Sequence, residues 1–263
     1  MTNANLARRL GALAAALVLL AGAARCASTG PKLPTAGSID ADKFLFERGS
    51  EALTNKKWLE AREYFRRLVD TYPQSQYRAD AKLGLGDSYI GQNTIESNIL
   101  AVNEFREFLT YFPLSTRADY AQYRIGLAHF RGMLSPQRDQ TATREALVQL
   151  DLFLTRYPAS SLRPEVEKLR RQARDRLSGS EFEVGRLYYR LKWCPGAVER
   201  FKGVLVQDPD YTGRDGVYFY LGGCLERMQR PAEALPYYDR LVTEFPKSEF
   251  ADETKKKIAL LKR

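Results

Sequence analysis

Apolar positions along the chain follow a helical spacing, and that spacing itself recurs. Five times an alanine is followed by an apolar residue four positions on, a second seven on, Phe, Tyr or Asp eleven on, and a proline twelve on. The five pairs are Ala61–Pro73, Ala101–Pro113, Ala146–Pro158, Ala197–Pro209 and Ala234–Pro246. Positions spaced in this way share one face of a helix, and the proline stops it. A second helical stretch precedes each alanine and carries a glycine, which lies twelve residues upstream at Gly49, Gly185 and Gly222. From Ala41 onward no strand-like alternation of any length appears. The pattern predicts an all-α chain of five helical hairpins, each burying its apolar face against the next.

The small residues mark where the two helices of a hairpin cross, since only Gly and Ala allow backbones so close. The bulky residue four after each alanine (Phe65, Phe105, Leu150, Phe201, Tyr238) fills the space beside that crossing. Apolar-Gly pairs recur at Leu85-Gly86, Ile125-Gly126, Val184-Gly185 and Leu221-Gly222, with Tyr89 and Tyr188 three after their glycines. This pattern resembles the tetratricopeptide repeat, which implies a right-handed superhelical array. Two spacings depart from it: Gly86 to Ala101 is fifteen residues and Gly126 to Ala146 is twenty. They predict longer hairpin loops at Gln92–Asn98 and Gly132–Thr141. Pro164–Leu177, dense in Arg, Lys and Glu, reads as an elongated helix between the third and fourth repeats. The expected organisation is an export signal over 1–25, a tether over 26–40, repeats 1–3 over 41–162, a connecting helix over 163–180 and repeats 4–5 over 181–263.

The N-terminus changes where such an array would work. Arg8 and Arg9 precede an uncharged apolar run from Leu10 to Ala24, too short to span a bilayer comfortably and suited to an export signal. Cys26 stands where a bacterial lipoprotein would be acylated, and a tether rich in Pro, Gly, Ser and Thr follows. Arg25 and Ala23 depart from the usual lipobox, and Ala21-Gly22-Ala23 offers a competing cleavage site that would release a soluble protein. Both processing routes place the mature protein outside the cytoplasm.

Composition and charge narrow the function by exclusion. The 263 residues are 44% apolar and 28% charged, with a net charge of +9, three charges of which come from Arg8, Arg9 and Arg25. Basic and acidic residues alternate along helix faces, as on solvated surface, and argue against nucleic acid. No phosphate loop, nucleophile elbow or metal-ligand spacing is present. Carboxylate pairs such as Glu104 and Glu107 lie on charged faces, and the single histidine, His129, takes the packing slot of Tyr89 and Tyr188. An enzyme is not expected, and no cofactor beyond a covalent lipid at Cys26. Cys194 and Cys224, taken as lying on parallel first helices, would be offset by roughly 10 Å, which predicts two separate buried thiols rather than a disulfide.

Trp58–Tyr77, Leu150–Ser161, the basic stretch Glu165–Leu177 and Ala197–Asp210, with helices closing on Tyr-Pro-x-Ser, resemble the BamD family of outer-membrane β-barrel assembly lipoproteins over roughly Asp42 to Leu261. The resemblance implies a non-catalytic scaffold on the periplasmic face of the outer membrane, anchored by its lipid. Its implied partners are a barrel subunit with POTRA domains, accessory lipoproteins and unfolded outer-membrane proteins. First-helix positions of repeats 1–3 would line a groove for the aromatic C-terminal strand of such a substrate. The candidates are Phe46, Leu83, Tyr120, Tyr123 and Phe130, with flanking Lys43 and Arg131 for the carboxylate. Positions matching the family in the second half, Arg200, Arg214 and Asp215, are candidates for docking the barrel subunit. The same architecture leaves open a secretin pilotin, a cell-division or peptidoglycan coordinator, or a subunit that activates a wall enzyme.

Overall fold

Residues 40–262 are described by the computed structural model, and helices account for most of them, with no strand among the described residues. Repeat 1 is α1 (Ala41–Thr54) and α2 (Trp58–Thr71), repeat 2 is α3 (Arg78–Gln92) and α4 (Ile95–Tyr111), and repeat 3 is α5 (Ala118–Arg131) and α6 (Thr141–Arg156). Repeat 4 is α7 (Arg163–Arg190) and α8 (Cys194–Gln207), repeat 5 is α9 (Arg214–Arg227) and α10 (Pro231–Glu244), and α11 (Ala251–Leu261) covers the last hairpin. The chain is thus the expected all-α array of tetratricopeptide-like hairpins. The export signal, the tether and Cys26 lie outside the described residues.

From α2 onward each helix packs on the next. The first helices α3, α5, α7 and α9 also touch one another in turn, whereas the second helices make no comparable contacts. The first helices therefore converge on the inner side of the array, and any elongated ligand held by several repeats would meet them.

The repeated glycine is explained by close approach. A Cβ on Gly49 would lie 2.6 Å from the Phe65 ring, and one on Gly84 would lie 2.5 Å from the opposite edge of the same ring. Phe65 is thus gripped between the first helices of repeats 1 and 2. Tyr238 sits on Gly222 in the same way, at 2.4 Å.

The closing Tyr-Pro-x-Ser has a physical role that the sequence did not reveal. The serine hydroxyl accepts the backbone N–H two residues on, at Tyr77, Arg117, Leu162 and Phe250. This turn sets the entry to the following helix. In three repeats the same hydroxyl donates to an aspartate at the start of the repeat's own first helix: Ser75 to Asp42 (2.5 Å), Ser160 to Asp119 (2.6 Å) and Ser248 to Asp215 (2.6 Å). Each hairpin is latched where its two ends meet.

Three expectations change. The loop expected over Gln92–Asn98 is only Asn93 and Thr94, because Thr94 and Ser97 form a reciprocal capping box that starts α4 three residues before Asn98. The extra residues lengthen the helix, and Asn93 takes the left-handed conformation (φ 55°) that turns the chain. The Gly132–Thr141 region does hold a loop, pinned by Gln140, whose amide donates to the carbonyls of Ser135 and Arg138. The cysteine offset is also corrected. Cys194 opens α8 instead of prolonging α7, so the chain has already turned back, and Cys194 and Cys224 share one buried cluster. Finally, α7 runs unbroken through 28 residues, about 42 Å at 1.5 Å each, with no element boundary at residue 180.

Candidate inner-face groove

The inner face of repeats 2 and 3 is organised by two heptad-spaced rows. Asp80 and Asp87 lie on α3, and Arg117, Arg124 and Arg131 lie at the cap and along α5. Seven residues are nearly two helical turns, so each row runs straight along its helix. Arg117 meets Asp80 at 2.9 Å and Arg124 meets Asp87 at 2.7 Å. The third rung has no acid, since position 94 is Thr. Arg131 donates instead to the Ile90 carbonyl at 2.8 Å, near the C-terminus of α3. Among the described residues it has no carboxylate partner. Burial and the neighbouring Arg124 pull its pKa below the usual value, the direction expected of an uncompensated cation.

Tyr120 lies inside this ladder. Its hydroxyl donates to Asp87 at 2.8 Å, and the Arg117 and Arg124 guanidinium groups sit 5.0 and 5.5 Å from its ring centre. Burial, then the charge of Asp87, push its pKa well up. Asp87 itself is pushed upward by burial, which Arg124 and Tyr120 only partly offset. Tyr120 is therefore engaged within the array. Tyr123 is half-buried, 6.4 Å from Tyr120 between ring centres, and packs with Leu127 and Phe130 on a small core formed by Leu150, Phe153, Val166 and Leu169.

The remaining groove candidates divide. Leu83 is 1% exposed and belongs to the core of repeats 1 and 2, so it lines no surface. Phe46 stacks on Tyr77 (5.1 Å) and closes the junction of the first two repeats, with Lys43 exposed one turn away. What the structure brings together is a half-buried apolar strip at Tyr123 and Phe130 with Arg131 at its end. Arg117 and Arg124 were missed by the sequence reading, although their seven-residue spacing opposite Asp80 and Asp87 was the available signal.

In repeats 4 and 5, two docking candidates prove to be internally engaged. Asp215 takes the Ser248 latch, and Arg214 donates to the Tyr211 carbonyl (2.9 Å) while lying over the Phe245 ring. They are not an outward-facing charge pair, because both sit at the junction where the turn after α10 returns to the start of α9. Arg200 is exposed and meets Glu181 at 2.9 Å. It borders an open groove of about 470 Å³ with Tyr188, Trp193, Pro195, Met228 and Arg230. Trp193, 54% exposed with its ring edge-on to Tyr188, is the feature the sequence reading passed over.

Comparison with known proteins places this arrangement. A family model described as an outer membrane lipoprotein, YfiO, matches residues 40–221, and a tetratricopeptide-repeat model matches residues 217–248. The outer membrane protein assembly factor BamD of Caulobacter vibrioides is 28% identical over 73% of this chain and 62% of its own length. That of Haemophilus influenzae is 25% identical over 70% of this chain and 73% of its own, and that of Rickettsia prowazekii 24% over 61% and 63%. The chain thus spans somewhat less than two thirds of the Caulobacter relative.

Proposed function

The chain belongs to the YfiO family of outer membrane lipoproteins, and we propose that it serves as a non-catalytic scaffold for the assembly of β-barrel proteins in the outer membrane. In this reading Cys26 carries the lipid, the array lies on the periplasmic face, and no nucleic acid is involved. The observation that carries it is the family match over residues 40–221, which spans repeats 1–4 and the first part of α9 in repeat 5. The relatives' shared name as assembly factors supports the same role.

Substrate would bind where the arginine ladder runs out of acids. A barrel protein's C-terminal strand presents an aromatic side chain and a carboxylate. Tyr123 and Phe130 offer half-buried apolar surface for the first, and Arg131 a cation for the second. The test is binding of a labelled C-terminal barrel peptide in free-acid and amidated forms. Arg131→Ala is expected to weaken the free acid by about tenfold, or about 1.4 kcal/mol, and to abolish its advantage over the amide. An advantage that persists in the variant would remove Arg131 from the role.

The POTRA-bearing barrel subunit would dock on the repeat 4–5 groove around Trp193 and Arg200, an aromatic and an arginine being the residue types that dominate interfaces. Arg200→Glu combined with Trp193→Ala is expected to reduce co-purification of that subunit from solubilised envelopes while leaving helicity unchanged. The identity of the co-purified protein also separates this reading from the secretin-pilotin and peptidoglycan-coordinator alternatives.

A further inference from the structure

Among the described residues there are two cysteines, and both are held as buried thiols. Cys194 is 4% exposed and Cys224 is fully shielded, and both belong to the cluster formed by Val198, Leu221 and Leu225. Thirty residues separate them in sequence, yet both lie in one buried cluster, and after burial Cys194 is the strongest influence on the Cys224 thiol. The fold accounts for this proximity: α8 turns back along α7 and packs on α9, with Cys194 its first residue and Cys224 in the last turn of α9.

We propose that Cys194 and Cys224 are joined by a disulfide in the mature protein, stapling the start of α8 to the last turn of α9. The proposal rests on the export reading above, because disulfides persist in oxidising compartments and are rare in the cytosol. Burial, followed by the influence of Cys194, holds the Cys224 thiol well above its ordinary pKa, so Cys224 in the closed fold is a poor nucleophile. The bond therefore closes while repeats 4 and 5 are docking, before the core shuts. One thiol loses its proton and attacks a donor disulfide, releasing one donor thiolate and leaving a mixed disulfide. The second thiolate then displaces the other donor sulfur. Two electrons pass to the donor disulfide, which ends as two thiols. The product ties repeat 4 to repeat 5 directly beneath Trp193 and the groove beside it.

The test refolds the reduced full-length protein from denaturant in a glutathione redox buffer, then alkylates under denaturing conditions and maps peptides. The expected result is a linked Cys194–Cys224 peptide and an intact mass lower by two hydrogens. Reductant is then expected to lower the Tm by about 5–10 °C, a shift absent from the double variant Cys194→Ala, Cys224→Ala. Should that variant fail to fold, the linked peptide decides alone. Native helicity with both thiols alkylated would overturn the pairing. A parallel sample, acid-trapped directly from producing cells, reports on the compartment. Closure in the redox buffer with free thiols in cells would overturn the export reading and leave the pairing standing, whereas free thiols in both would overturn the pairing.

Discussion

Asp87 and Asp208 each face an arginine, yet their surroundings push them in opposite directions. At Asp208, burial would raise the pKa, but the Arg171 guanidinium grips both carboxylate oxygens (2.8 and 2.5 Å) and Ser178 donates a third bond at 2.6 Å, so the net shift is downward. At Asp87, burial wins over Arg124 and Tyr120 and the shift is upward. A depressed carboxyl stabilises the fold above its unfolded pKa of about 3.9, and that contribution is lost as pH falls through the folded value. A raised carboxyl does the reverse above that pKa, withdrawing stability as pH rises from the unfolded value through the higher folded one. Asp208→Asn is therefore expected to cost about 2 kcal/mol near pH 7 and progressively less toward pH 3. Asp87→Asn is expected to cost less at pH 7 than Asp208→Asn, as read by urea unfolding across pH. Residue type alone was silent here. Asp208 occupies the slot held by Tyr or Phe in the other repeats, and only the fold shows that Arg171 and Ser178 converge on it. Leu83, Arg214 and Asp215 teach the same point: repeat position gave their helix, but tertiary contacts decided their surroundings, the core of repeats 1 and 2 for Leu83 and the closing turn of their own repeat for Arg214 and Asp215.

At the scale of the helix, the glycines separate by what lies opposite them. Gly49 and Gly203 are both helical, yet a Cβ on Gly49 would press on Phe65 while one on Gly203 would meet nothing within 4 Å. Gly203→Ala is expected to stabilise by about 0.5–1 kcal/mol through helix propensity alone. Gly49→Ala is expected to destabilise by about 1–3 kcal/mol despite the same gain, and Phe65→Leu in the same chain should recover part of the loss. The measurement is a double-mutant cycle by denaturant unfolding, and additivity would deny the contact. This grammar of Gly, Ala, bulky residue and Pro was legible because it is local and recurs five times. The Asn93 turn was not, since spacing counts residues without saying whether they extend a loop or a helix. Thr94 and Ser97 decided it through two short hydrogen bonds.

Over the whole molecule, stability is expected to be shared between neighbours. In a repeat array each hairpin contacts only those beside it, so cooperativity depends on how firmly the units are joined. From Asp42 to the end of α11 the described residues form one compact unit, and α7 belongs at one end to the packing of repeat 3 and at the other to that of repeat 4. A single unfolding transition is therefore expected by calorimetry or urea. Inserting Gly-Gly after Ser180 is expected to split it into two, while a variant that still unfolds in one step would show that other contacts unite the array. Composition around Pro164–Leu177 signalled the long helix. Its fusion with the first helix of repeat 4 was not signalled, because nothing in sequence marks a boundary that the chain simply does not make.

The unbroken α7 has a mechanical consequence. Wherever a short loop joins two hairpins, the chain can swivel at little cost. A helix of 28 residues offers no such pivot, and bending it means breaking backbone hydrogen bonds along its length. It is expected to act as a rigid crossbar, so that a push on the arginine-lined face of repeat 3 would be delivered as a tilt of repeat 4, at the far end where Trp193 stands.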